Sequence, residues 1–89
     1  ELRFKIKAHR NKLLGVWVAE HLNLPENEVE QYGVSLIEAD LEEAGDNDLI
    51  RKITSDLNKA SVDSIGEDEI KEAIETFYAQ ARNDFINGQ

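Results

Sequence analysis

Apolar residues recur at intervals of three and four along most of this chain, a spacing that predicts helices. The first runs from about Leu2 to Leu22, with Leu2, Ile6, His9, Leu13, Val16 and Trp17 on the repeat. Its opening residues, Leu2 to Lys7, also alternate like a strand. Helix is the better expectation, because no second strand is available for a hairpin. From Leu13 to Ala19 only Gly15 interrupts an apolar run, so this part of the helix should be the most buried.

Asn23-Leu24-Pro25 should end that helix, and Pro25 suits the start of the next. Glu26, Glu28 and Glu30 place negative charge at its N-terminus. Val29, Tyr32, Leu36, Ile37 and Leu41 form its stripe, with Gly33 inside it. An interior glycine costs about 1 kcal/mol relative to alanine. Close approach of a bulky side chain, with Trp17 the candidate, would account for it. Ala44-Gly45-Asp46 should stop the second helix at a glycine and start the third at an acidic cap. Leu49, Ile50, Ile53 and Leu57 line the third, which fades at about Lys59.

A polar stretch from Ala60 to Gly66 follows, and Ser64 with Glu67 reads as a capping box for the last helix. Ile70, Ala73, Ile74, Phe77, Ala81 and Phe85 line that helix, which frays at Asn87-Gly88. The expected fold is all-α: an antiparallel, four-helix, bundle-like single domain over residues 1–89 with a long first helix. Leu13, Leu14, Trp17, Leu36, Ile37, Ile53, Ile74 and Phe77 are its expected core.

Composition narrows the function classes. The 89 residues contain no Cys, excluding disulfides and thiolate metal sites, and only two His. No apolar run approaches the roughly 20 residues that span a bilayer. The formal net charge of −9 argues against wrapping a nucleic-acid backbone. That charge is uneven: residues 1–12 carry a net +4 and the remainder −13. The basic head comprises Arg3, Lys5, Lys7, Arg10 and Lys12. Such asymmetry marks a possible interaction feature, or a head attracted to the body's own acids. Phe4, Ile6 and Trp17 would be the insertion residues if this head met a membrane, but the acidic body would be repelled by anionic lipid. The chain has no Met, even at position 1, which suggests a processed or partial chain.

No catalytic constellation emerges. His9 and His21 read as surface or packing histidines, and no glycine-rich phosphate loop precedes a helix. Ser61 to Glu72 superficially matches a calcium loop, but Ser61, Ile65 and Asp68 each violate it. Asp63-Ser64-Ile65 invites comparison with acyl carrier proteins, which are small, acidic and four-helical. Their modified serine opens the second helix, whereas Ser64 precedes the last. Neither a cofactor nor a metal is expected.

The string from Leu2 to Trp17, LRFKIKAHRNKLLGVW, and that from Ala39 to Lys52, ADLEEAGDNDLIRK, together resemble the zeta subunit, the ATPase inhibitor of alphaproteobacterial F-type ATP synthases. The resemblance covers nearly the whole chain, in order. It implies a regulatory protein of the bacterial cytoplasm, peripheral to the inner membrane through the synthase and without catalytic activity. Such a protein binds the F1 catalytic head among alpha, beta and gamma subunits and blocks ATP hydrolysis. In the family an inhibitory segment precedes the stretch that opens this chain, so the chain is expected to be mainly the globular body. Arg3, Lys5, Lys7, Arg10 and Lys12 would then be its remaining partner contacts. The family usually has Arg where His9 stands and Phe where Leu41 stands. An acyl-carrier-like protein modified at Ser64 and a generic acidic protein-binding module are the alternatives.

Overall fold

The computed structural model describes residues 2–41 and 45–87, and those residues form four helices: α1 (Leu2–Leu22), α2 (Glu26–Asp40), α3 (Asn47–Lys59) and α4 (Glu67–Asn87). Helix α1, about 31 Å long at 1.5 Å per residue, is the common element against which the other three pack. Asn11 meets Asp40 and Gly15 meets Gly33, so α2 runs antiparallel to α1. His9 meets Asp84 and Trp17 meets Phe77, so α4 does too. Leu14, Val18, Leu36, Leu49, Ile53, Leu57, Ile70 and Ile74 form a continuous buried core with residues from every helix.

The all-apolar stretch of α1 is less uniformly buried than its composition suggests. Leu14, Gly15, Val18 and Ala19 are buried, while Leu13 and Trp17 are half-buried and Val16 is exposed. Only one side of a helix can face a core of this size. Trp17 packs at the edge of the core, its ring edge-on to His21 at 5.1 Å and tilted against Phe77 at 6.5 Å between centroids. Ile37 and Phe77 are likewise half-buried, and Phe85 is exposed. Leu41, placed on the core stripe by its spacing, lies just past the end of α2 and is exposed.

Gly33 is required by backbone, not by Trp17. A Cβ on Gly15 would lie 2.7 Å from the Gly33 Cα, and a Cβ on Gly33 would lie 3.4 Å from the Lys12 Cα. Two facing glycines let α1 and α2 approach closely where side chains would hold them apart.

The helix ends also depart from expectation. Asn23 and Ser61 adopt left-handed backbone, with φ of 58° and 60°. The Leu24 N–H donates to the Ala19 carbonyl at 3.1 Å, and the Val62 N–H to the Leu57 carbonyl at 2.9 Å. Both helices therefore stop at a Schellman-type turn without glycine. Helix α2 ends at Asp40, well short of Gly45, so Gly45 is not its cap. Ala44 and Gly88, assigned to a stop and a frayed end, lie outside the described residues. The capping box is displaced: α4 begins at Glu67, and the Gly66 N–H donates to Glu69 Oε1 at 2.8 Å, leaving Ser64 exposed in the preceding connection.

Candidate functional site

The basic head divides into built-in and free cations. Arg3, Lys5 and Lys12 are exposed. They have no ion-pair partner among the described residues. Lys7 is half-buried, 3.6 Å from Asp40 Oδ2. Arg10 belongs to the interior, with 3% of its surface exposed. Its Nη2 donates to Asp40 Oδ2 at 3.0 Å, its Nε donates to Asn11 Oδ1 at 3.0 Å, and its Nη1 lies 3.5 Å from Asp46 Oδ1. Asn11 Nδ2 donates to the same Asp40 oxygen at 3.1 Å. Tyr78 adds its ring, 6.0 Å from the guanidinium carbon.

This junction explains several sequence features together. Asp46 stands at the N-cap of α3 as its type predicts, yet its side chain makes no capping hydrogen bond and faces Arg10 instead. Arg10 thereby joins α1, the last residue of α2 and the residue before α3. Burying one ion of such a set alone would be prohibitive, so each charge needs the others. Arg10 and Asn11 come from one string that carries the family resemblance, and Asp40 and Asp46 come from the other. Two strings separated by more than twenty residues thus meet at one polar junction. Helical periodicity reads Arg10 as surface because it follows apolarity, not the partner that makes a buried charge tolerable.

Asp40 Oδ1 is buried and accepts no hydrogen bond among the described residues. Asp40 also lines a pit of about 50 Å³, together with Phe4, Lys7, Ala8, Asn11, Ile37 and Leu41. Its lips are apolar and open, since Phe4 is 51% and Leu41 64% exposed.

His9 is a packing residue: its Nε2 is 2.8 Å from Asp84 Oδ2 and its ring meets Phe85 edge-on at 5.9 Å. It ties the end of α4 to the first half of α1. At the other end of the bundle, Tyr32 donates to Asp56 at 2.8 Å and Lys52 reaches the same carboxylate at 2.9 Å. Burial foremost, then the hydrogen bond and charge of Asp56, hold the Tyr32 hydroxyl far above the ordinary phenol range, so it remains a donor. Among the described residues no group of three or more acidic or histidine side chains is placed to hold a metal, and no helix is long and apolar enough to cross a membrane.

A family model described as ATPase inhibitor subunit zeta matches residues 1–84. One structure solved by solution NMR is 35% identical, covers 100% of both chains and superposes with a TM-score of 0.86. No curated protein matches the sequence.

Proposed function

The chain belongs to the ATPase inhibitor subunit zeta family, and from that membership we propose that it docks on the catalytic head of an F-type ATP synthase and restrains ATP hydrolysis. The contact lies where alpha and beta subunits meet near gamma. The chain acts by occupying a surface, not by catalysing a reaction, and sits at the bacterial inner membrane only through the synthase. Membership in the family carries this reading. The exposed start of α1 supports it: Arg3 and Lys5 present positive charge without an ion-pair partner among the described residues, against a body whose net charge is strongly negative.

Charge of this kind accelerates encounter with an acidic surface and is screened by salt. Lys12, further along the same helix, adds exposed positive charge, whereas Lys7 is half-buried against Asp40. Arg10 serves the site indirectly, by fixing the junction on which that surface rests.

The test is a titration of isolated F1 with this chain, following both association and ATP hydrolysis. Saturable binding that weakens with added salt, accompanied by slower hydrolysis, is the expected result. No association at micromolar concentrations, with hydrolysis unchanged, would contradict it.

A further inference from the structure

Exposed large apolar side chains gather at one end of the molecule. Of the six among the described residues, only Val16 lies elsewhere: Leu2 and Phe4 open α1, Leu41 follows α2, and Phe85 and Ile86 close α4. Pairings between helices set these segments side by side. The approach of Lys7 to Asp40 places Leu41 next to the first turns of α1, and both Phe4 and Leu41 line the pit. His9 holds Asp84 at 2.8 Å and its ring meets Phe85, so the antiparallel α4 continues past that level toward the start of α1. Charge divides along the same line. The chain has 19 acidic residues, yet residues 2–8, 41 and 85–87 include none. Arg3 and Lys5 are exposed there, without an ion-pair partner among the described residues, while Lys7 is half-buried against Asp40. An apolar cluster of this kind marks an interaction surface.

We propose that the last turn of α4, with Phe85 and Ile86, is the second half of the F1-docking face, and that this end of the bundle meets an apolar F1 surface rimmed by carboxylates. The inference rests on the reading that F1 is the partner, and adds α4 to the contact. Charge complementarity selects the occupant. An acid-free apolar end carrying exposed cations fits a protein surface whose apolar centre is edged by acids. A second copy of the chain does not meet that need. Two-fold pairing sets one patch against itself, so Arg3 and Lys5 of both copies would enter one interface with no carboxylate from these segments to balance them. An anionic bilayer fits less well too. Clusters of about four to eight basic residues mark such contacts, and beyond His9 the exposed cations are Arg3 and Lys5 alone among the described residues. Ile86 is the informative residue: at 61% exposed it contributes little to the fold, so its loss reads out binding.

Affinity for isolated F1 is measured by biolayer interferometry for the wild-type chain, Ile86→Ser, Ile86→Glu, Ile86→Lys and Val16→Ser, with the melting temperature of each recorded. Ile86→Ser is expected to lose about tenfold in affinity, as for a central interface contact, with its melting temperature near wild type. Ile86→Glu should bind more weakly than Ile86→Lys, because it sets a carboxylate against the acidic rim, and added salt should narrow that gap. Val16→Ser, which removes the exposed apolar side chain outside the cluster, should bind normally. If the wild type binds F1 and Ile86→Ser binds equally well, α4 lies outside the contact and the inference fails while F1 remains the partner. Ile86→Lys binding no better than Ile86→Glu would overturn the acidic rim. Sedimentation with vesicles of phosphatidylglycerol and phosphatidylcholine is the companion measurement. No binding is expected, and wild-type binding that Ile86→Ser abolishes would make a bilayer the occupant and overturn the proposal. A wild-type chain that does not bind F1 overturns both this inference and the reading beneath it.

Discussion

Along α1, the stretch from Leu14 to Ala19 and the turn from Leu2 to Lys5 have similar helical backbone and opposite surroundings. Leu14, Val18 and Ala19 are fully buried, and Gly15 lies against the α2 backbone. In the first turn nothing is buried, although Leu2 and Phe4 are as apolar as the residues that form the core. Hydrophobicity alone therefore does not decide burial in this molecule. What decides it is whether α2, α3 and α4 reach the same level, and their cover ends at Ile6, one turn beyond the Arg10 junction and still 5% exposed. Beyond it the same helix presents its side chains outward, which suits binding more than stability.

Substitutions that break this division are expected to separate stability from binding. The largest loss of stability should come from Arg10→Met, which leaves the buried Asp40 without its guanidinium. Removing one partner of a buried pair costs about 3–5 kcal/mol, and here Lys7 and Asn11 moderate it toward the lower figure. Chemical denaturation would read this directly. Leu14→Ala follows, at about 2–5 kcal/mol depending on how far the site collapses. An unfolding midpoint close to wild type would show that the α1 core is looser than its complete burial implies.

The two glycines give a sharper contrast. Gly15→Ala drives a Cβ to 2.7 Å from backbone, so overpacking of about 1–3 kcal/mol should exceed the gain of about 1 kcal/mol in helix propensity. Gly33→Ala meets its nearest atom at 3.4 Å, so it should be near neutral or slightly stabilising. Thermal melts of the two variants should therefore move apart, and equal shifts would contradict the described crossing. The smallest effect belongs to the first turn: Phe4→Ser should change stability by no more than about 0.5 kcal/mol. A large loss there would mean that Phe4 is part of the core after all.

Much of the architecture was legible from the chain. The four helices follow from their stripes, and the bounds of α1 and the end of α3 fall where the pattern predicts. Periodicity works at these places because local spacing and burial coincide. It fails where the deciding partner is distant in sequence. Gly15 and Gly33 are individually unremarkable helix breakers, and only their meeting across two helices gives them a purpose. Asn23 and Ser61 end helices through left-handed backbone that composition assigns to glycine. Ser64 and Glu67 match the letters of a capping box, but Gly66 and Glu69 occupy the positions.

The candidate site was half legible. The cationic head is evident from charge, and Arg3, Lys5 and Lys12 are exposed as a binding role requires. The burial of Arg10, the spare acceptor on Asp40 and the pit beside Leu41 depend on how α2 ends against α1. Residue type at Asp40 or Leu41 carries no sign of that meeting.

The central claim is that the uncovered start of α1, with the ends of α2 and α4 beside it, meets the synthase while the rest of the bundle supports it. Hydrogen–deuterium exchange of the chain, alone and bound to F1, tests this most directly. Amides are expected to gain protection in residues 2–12 and around Leu41, with those of α3 and the middle of α4 unchanged. Protection confined to α3 or the middle of α4, with the start of α1 exchanging as in the free chain, would contradict it.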